Sequence, residues 1–402
     1  MKSFWKTFSA APHRMMMFGG AVQLVATLLY WSIDLFGRYT SLWPAPVTVL
    51  PGMFAHSFLM LYMLFPFFIF GFLMTTYPRW MSGPEVPLVW YQPAFLLLAA
   101  GVILFYPGLF MAKTLLILAV ALLLAGYLVA LTALLRVYRT APARDKKYET
   151  ILNMALSSGA AGVLTYLLWL LTDNFFWLNI SLQVGLWWFL LPIVVTVSHR
   201  MLPFFSINVL PNYKMYQPRV TLLAMVSLLA LHGLLEMISL QAWLWLVDLP
   251  LMVLALLHSW KWQFRRSFEV RLLAILHVSF AWLSIAMLLY IINSLSLFMD
   301  HSLILGRAPL HAVAIGFVLS TTLAMASRVT LGHSGRALQA GTLTWLLFWG
   351  LSAVAVFRII AELPGGLHFN LLAALAWLVI AAIWSSKYGL IYLRPRIDGG
   401  PG

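Results

Sequence analysis

Long apolar stretches recur along almost the whole chain, and they constrain its fold more than any other feature. A helix needs about 20 apolar residues to cross a bilayer core of about 30 Å. Twelve stretches meet this need, near residues 15–37, 53–76, 94–111, 113–137, 150–172, 181–199, 220–238, 242–262, 271–297, 308–330, 341–361 and 369–392. Helices satisfy their own backbone hydrogen bonds inside lipid. The pattern therefore predicts an all-α, polytopic membrane bundle of about 12 transmembrane helices, forming a single integral membrane domain over residues 1–402.

Composition excludes several classes of protein and of metal site. Only 9% of the residues are charged, whereas soluble domains carry about 25%. The chain has no cysteine, which excludes disulfides, cysteine-ligated zinc or iron–sulfur sites, and the covalent attachment of c-type haem. A metal would have to be held by His, Met, carboxylate or backbone oxygen.

The basic residues predict an orientation for the helices. If the N-terminus lies inside, 21 of the 25 Lys and Arg residues fall at inner ends or inner loops. The four outer ones are Arg38, Lys113, Arg307 and Arg358. Cytoplasmic loops carry the excess of positive charge in membrane proteins. We therefore expect both termini to be cytoplasmic and the number of helices to be even. The net charge of +14 then indicates loops beside a lipid bilayer, and no nucleic acid is expected as a partner.

Two histidines stand out by their predicted depth. His56 and His311 each lie a few residues below the outer surface, at the starts of the second and tenth helices. Two imidazoles at equal depth on separate helices could bind one haem iron between them. Spacing alone leaves a second interpretation open, in which both are hydrogen-bonded core residues.

Other polar or sulfur-bearing residues inside the predicted helices have two interpretations each. His277 lies about two turns inside the ninth helix, and His333 lies at the inner face. Asp248 is expected either to pair locally or to take part in a proton path. Residues 15–17, three consecutive methionines, fit helix packing better than copper binding.

Several runs of residues resemble the NnrS family. The run SRVTLGHSGRAL at residues 327–338 resembles its M-T-R-x-x-L-G-H-T-G-R-x-L signature, and residues 308–312, APLHA, resemble the helix start before it. Residues 55–56 with 71–75 and 78–80, residues 199–206, and residues 276–279 with Trp282 also follow family motifs in order.

The resemblance implies a 12-helix bacterial inner-membrane protein that binds haem and copper and acts in the response to nitric oxide. The histidines that match family motifs, and are expected as metal ligands, are His56, His277, His311 and His333. The matching arginines are Arg200, Arg328 and Arg336. Two positions depart from the motif, because Phe54 and Ser57 stand where the family has His and Glu. The expectation of copper is therefore open, whereas haem is retained.

The expected cofactor is b-type haem, with His56 and His311 as axial ligands and Arg307 and Arg358 near its propionates. An iron with two axial histidines has no vacant position for a gas. Such a haem suggests electron transfer from a membrane or periplasmic donor, whereas binding, sensing or reducing nitric oxide as an oxidoreductase would need a second metal site or the departure of one histidine. The sequence leaves both open. No residue is assigned a catalytic role. The alternatives are a transporter, although its halves show no clear match, or an assembly protein without redox chemistry.

Overall fold

The structure is a computed structural model, which describes residues 2–399 and contains only helices, turns and loops within that range. A short helix, Lys2–Phe8, precedes twelve long ones. We number the long helices α1 Pro12–Tyr39, α2 Gly52–Trp80, α3 Leu88–Met111, α4 Lys113–Thr140, α5 Lys147–Thr172, α6 Phe175–Ile207, α7 Arg219–Met237, α8 Trp245–Lys261, α9 Arg271–Asp300, α10 Ala308–His333, α11 Thr342–Ile360 and α12 His368–Tyr392.

The predicted helical bundle is confirmed. Eleven of these helices are long and apolar enough to cross a membrane, so the chain is a multi-pass membrane protein. The remaining one, α8, has 17 residues and spans about 25 Å at 1.5 Å per residue. A short 3₁₀ turn, Gln241–Trp243, precedes it.

The helices group into two compact units. Unit 1 comprises residues 1–190, 329–337 and 381–402, and unit 2 comprises residues 191–328 and 338–380. The division passes through α6, α10 and α12, so each of these helices contributes to both units. The organisation of residues 1–402 as one domain stays a prediction.

The start of α1 and the segment after α12 meet at one end of unit 1. The Arg14 side chain, in the first turn of α1, donates a hydrogen bond to the backbone carbonyl of Arg394, just beyond α12. The backbone N–H of Ile397 donates to the carbonyl of Ser334, which follows α10 (3.2 Å). These contacts place the start of α1 and the ends of α10 and α12 together. The even number of membrane crossings and the cytoplasmic location of this end stay predictions.

Three of the long helices contain a wide π-helical segment. These segments are Leu59–Leu64 in α2, Val184–Leu190 in α6 and Ala312–Leu319 in α10. Such segments are rare and are frequent at functional sites. The segment in α2 begins three residues after His56, and the segment in α10 begins directly after His311. The wide turns therefore adjoin both histidines that sequence depth singled out.

Close contacts between glycine and an aromatic ring hold these wide turns. In unit 1, Tyr62 of the α2 segment packs on Gly162 of α5, where an added Cβ would lie 1.9 Å from the Tyr62 hydroxyl. That hydroxyl donates to the carbonyl of Ser181 (2.6 Å). In unit 2, Gly316 of the α10 segment packs against the ring of Trp282. A Cβ added to Gly316 would lie 2.5 Å from that ring. Only glycine leaves room for the aromatic side chain at these two positions.

Candidate functional site

His56 lies at the outer end of unit 1, by the predicted orientation, and its imidazole stacks on an indole. The ring centroids of His56 and Trp31 are 4.0 Å apart and the ring planes differ by 12°. Trp31 belongs to α1, which also carries the ion pair of Asp34 and Arg38 (2.9 Å). Gly52, at the start of α2, packs against both members of this pair. A Cβ added to Gly52 would lie 2.6 Å from the Arg38 side chain and 2.8 Å from the Asp34 carboxylate. The histidine is therefore positioned by an aromatic face beside a charged pair.

His311 lies at the outer end of unit 2, by the same orientation, and is surrounded by polar groups. Its Nδ1 lies 2.9 Å from the backbone carbonyl oxygen of Arg307. A carbonyl can only accept, so Nδ1 carries the proton and Nε2 carries a lone pair. The Arg358 guanidinium donates to that Nε2 (3.0 Å). Arg358 also pairs with Glu362 one turn later (3.1 Å).

The predicted cation Arg307 takes part in this arrangement through its backbone. Its carbonyl accepts from His311, and its N–H donates to the Glu362 carboxylate (3.1 Å). Gly306 precedes it with a φ of +46°, and a Cβ there would lie 2.5 Å from the same carboxylate. Arg307, His311 and Arg358, which were predicted to act together, are therefore neighbours in unit 2.

The other two predicted metal ligands have different partners. His333 packs against His13, a residue that the sequence motifs did not include, with ring centroids 4.6 Å apart in unit 1. His277 is 1% exposed, and its Nε2 lies 3.2 Å from the Ser206 hydroxyl in unit 2. Their metal-binding role stays a prediction. Depth alone places both His13 and His333 at the inner face, which is the signal that could have paired them.

Asp248 pairs locally, as one of its two interpretations proposed. It lies 2.6 Å from His232 of α7, and neither side chain is exposed to solvent. Glu236, one turn after His232, lies 3.7 Å from the other imidazole nitrogen. The ring of Tyr290 covers the histidine with centroids 4.7 Å apart. Motifs gave no sign of this buried charged group, because its members come from three different helices.

Two further expectations from the motifs can be compared with the structure. The Arg328 guanidinium lies 3.9 Å from the centroid of the Phe205 ring, so a cation stacks on an aromatic face. The three methionines of residues 15–17 are buried, and the sulfur of Met17 accepts a hydrogen bond from Tyr392 (3.5 Å). They serve helix packing in unit 1. Among residues 2–399, no group of three or more His, Asp or Glu side chains is arranged to hold a metal ion.

Comparison with known families decides which class this chain falls in. A family model described as NnrS protein matches residues 7–396, nearly the whole chain. The chain belongs to the NnrS family. No curated protein matches it.

Several NnrS-family motifs can now be located on the fold. The motif at residues 199–206 forms the end of α6, where Gln217 donates hydrogen bonds to the carbonyls of His199 and Arg200 (3.1 and 2.7 Å). The motif at residues 276–279 lies inside α9, two helical turns from its start. The long signature at residues 327–338 covers the end of α10 and the turn after it, where Gly335 has a φ of +73°. The motifs thus mark helix ends as well as histidines.

Proposed function

We propose that this NnrS-family chain is a haem protein of the bacterial inner membrane that acts in the response to nitric oxide. Family membership supports the coarse role in that response. The haem is proposed to be of the b type, with His56 and His311 as axial ligands. When bound, haem would supply an iron that takes and gives single electrons or binds nitric oxide.

The hydrogen bonding of His311 carries this proposal. Histidines that bind metals usually donate their other ring N–H to a carbonyl or carboxylate, which fixes the tautomer and the direction of the lone pair. The Arg307 carbonyl accepts from Nδ1 in this way (2.9 Å). It leaves Nε2 as the nitrogen able to bind iron. His258 makes the same contact to a carbonyl one turn earlier (2.8 Å), but its Nε2 lies against the Thr221 hydroxyl (3.1 Å), whereas the Nε2 of His311 lies against a cation.

Arg358 fits the same proposal as a cation that changes partners. Its guanidinium contacts both His311 Nε2 and the Glu362 carboxylate (3.0 and 3.1 Å). To bind iron, Nε2 would have to lose the contact with Arg358. The released guanidinium would remain held by Glu362 and be available to a haem propionate, which is the role that its depth predicts. Arg307 would support iron binding in a different way, because its carbonyl accepts the hydrogen bond from His311 Nδ1.

In unit 1, Trp31 stacks on His56, the second proposed axial ligand. A stacked indole restricts the tilt of the His56 ring and excludes lipid from one of its faces. Copper is a weaker proposal at this end. Phe54 packs edge-on against Trp169 (centroids 5.7 Å apart), and the Ser57 hydroxyl donates to its own helix at the Met53 carbonyl (2.9 Å). Neither position supplies an imidazole or a carboxylate.

The first experiment is to purify the full chain in detergent and to measure haem per polypeptide and the reduced absorption spectrum. We expect His56→Ala and His311→Ala each to lose haem to background, because each removes one axial ligand. His277→Ala is the matched control, since that buried histidine contacts Ser206 and should retain haem. Unchanged haem and an unchanged low-spin spectrum in either of the first two variants would overturn the ligand assignment.

The second experiment addresses nitric oxide itself. The reduced wild-type protein is exposed to nitric oxide without oxygen, and its spectrum is followed over time. Rapid ligation indicates that one histidine leaves the iron readily, whereas an unchanged spectrum indicates electron transfer from a membrane or periplasmic donor. Arg358→Ala should alter the rate of ligation, because the guanidinium contacts the Nε2 that would compete for the iron.

A further inference from the structure

The inner end of unit 1 gathers positive charge around a pair of imidazoles. We call five residues the inner cluster: His13, His333, Arg14, Arg79 and Arg396. The two imidazole centroids are 4.6 Å apart, and the Thr75 hydroxyl lies 3.4 Å from His13 Nδ1. Arg14 directly follows His13, and Arg79 lies one helical turn after Thr75 on α2. Arg396 pairs with Asp398, whose carboxylate lies against Gly335, two residues after His333. Five side chains from four separate stretches of sequence therefore converge.

Arg14 is the buried cation of the inner cluster. Arg14 is only 3% exposed to solvent. One guanidinium nitrogen donates to the Arg394 carbonyl, and its Nε has no hydrogen-bond partner in the part of the chain that the structure describes. No carboxylate of that part forms an ion pair with it. A buried charge without a counter-charge is costly, so this guanidinium calls for an anion.

The remaining charges do not supply that anion. Asp398 is engaged by Arg396 in a two-pronged pair (2.9 and 2.5 Å). Three arginines set against one carboxylate leave a net positive charge. Arg336, three residues after His333, adds a further buried nitrogen without a hydrogen-bond partner among the described residues. The first turn of α1 lies here as well, and a helix N-terminus favours an anion.

We propose that the inner cluster binds a phosphate-type oxoanion. Arg14, Arg79 and Arg396 would provide the charge, and the imidazoles and the Thr75 hydroxyl would provide hydrogen bonds. The three positive charges also act against a metal cation at the His13 and His333 pair. This site is separate from the proposed haem site and does not depend on it. The phosphate could belong to a phospholipid headgroup or be free in solution, since the recognition chemistry is the same.

The test is thermal unfolding of the purified full chain in a neutral detergent. Inorganic phosphate is titrated at constant ionic strength against chloride. We expect the midpoint of wild type to rise by about 2 °C or more at saturation, because a ligand that binds only the folded state stabilises it. Arg14→Gln and Arg396→Gln should lose most of that rise. Arg266→Gln is the matched control, since Arg266 pairs with Glu269 at another inner loop (3.1 Å).

A second arm identifies the source of the phosphate. The same proteins are placed in nanodiscs of phosphatidylcholine, with or without phosphatidylglycerol. Stabilisation by phosphatidylglycerol but not by free phosphate, lost in Arg396→Gln, assigns the site to a lipid headgroup. Stabilisation by free phosphate assigns it to a soluble anion. Either result supports the site.

Three results would overturn the proposal. One is the absence of any wild-type shift in both arms, and another is an equal shift in wild type and Arg396→Gln. The third is stabilisation by Zn²⁺ or Cu⁺ that is lost in His13→Ala while phosphate has no effect. If Arg14→Gln does not fold, Arg396→Gln still decides the outcome, because Arg396 lies in the partly exposed segment after α12.

Discussion

The outer histidines of the two units, His56 and His311, are held by different kinds of contact. In unit 1, the His56 ring stacks on Trp31. In unit 2, the His311 ring contacts the Arg358 guanidinium and the Arg307 carbonyl. Ring contacts position an imidazole by shape, whereas hydrogen bonds and charges also fix its tautomer. Variants that alter shape should therefore act mainly at His56, and variants that alter charge should act mainly at His311.

The two outer sites nevertheless share a set of parts. Each has an arginine–carboxylate pair one helical turn apart, Asp34 with Arg38 and Arg358 with Glu362. Each has a glycine against that pair, and each histidine is followed within a turn by a π-helical segment. The difference is that Arg358 contacts its histidine directly, while Arg38 lies over Trp31 (5.9 Å).

The largest expected effect on stability comes from the buried pair in unit 2. Asp248→Asn removes the charge that faces His232, and neither residue is exposed. Breaking one partner of a buried pair costs about 3–5 kcal/mol. Asp173→Asn is the control, because its pair with Lys113 is exposed and worth about 1 kcal/mol or less. Unfolding free energies in mixed detergent measure both, and equal losses would contradict the contrast.

A smaller loss is expected when the aromatic support in unit 1 is removed. Trp31→Ala deletes the stacking face of His56 and should cost about 1–2 kcal/mol. Trp31→Phe keeps a stacking ring and should retain most of the stability. The same unfolding assay measures both variants. If both lose equally, the indole N–H matters rather than the ring face, and the description of unit 1 would change.

Replacing the two glycines beside the charged pairs by alanine should lower the unfolding free energy by different amounts, because their backbone conformations differ. Gly306→Ala places a Cβ at a φ of +46° against Glu362, and the left-handed conformation alone costs about 1 kcal/mol. Gly52 has an ordinary φ, so Gly52→Ala has only the contact with Arg38 and Asp34 to relieve. We expect the first variant to lower the unfolding free energy more than the second. The reverse order would show that crowding dominates backbone conformation.

The smallest effect on stability is expected for the arginines. Arg358→Gln and Arg38→Gln each break a partly buried ion pair, with side chains 16% and 21% exposed in the first and 41% and 2% exposed in the second. Because the glutamine amide can still donate a hydrogen bond to the carboxylate, each should cost about 1 kcal/mol. Their chemical effects should differ, because only Arg358 contacts an imidazole. Carbethoxylation of the haem-free protein, followed by mass spectrometry, should modify His311 several-fold faster in Arg358→Gln. The rate at His56 should stay unchanged in Arg38→Gln.

Most helix positions were predictable, because an apolar run is a local property. The ninth helix was expected near residues 271–297 and is Arg271–Asp300. The sixth was expected near residues 181–199 but is Phe175–Ile207. It begins earlier because Asn174 caps it by accepting from the Phe176 N–H (3.0 Å), and it continues through Arg200 and Pro203. Charge and proline at a membrane boundary end an apolar run without ending the helix.

The sites were less predictable, because they depend on contacts between distant parts of the chain. Depth and motifs singled out His56 and His311 at helix starts, and depth alone singled out Arg358 at a helix end, since helix ends can be read from the sequence. The pairing of His13 with His333 joins residues 320 positions apart; their common depth is compatible with it, but depth alone does not select this pair among the histidines of the inner face. The same holds for the charged group around Asp248, to which α7, α8 and α9 contribute.

The wide turns of α2 and α10 have a consequence for how these helices can be compared with their relatives. Each π-helical segment shifts the helical phase, so residues before and after it do not follow one continuous wheel of about 3.6 residues per turn. His56 and residues 71–75 therefore belong to two separate angular frames within α2, as do His311 and residues 327–333 within α10. A single-residue deletion in the regular α-helix on either side would rotate everything that follows by about 100°, whereas a deletion inside Leu59–Leu64 would remove the extra residue of the wide turn and leave an ordinary α-helical turn. Single-residue gaps in this family are consequently expected within these segments and not on either side of them.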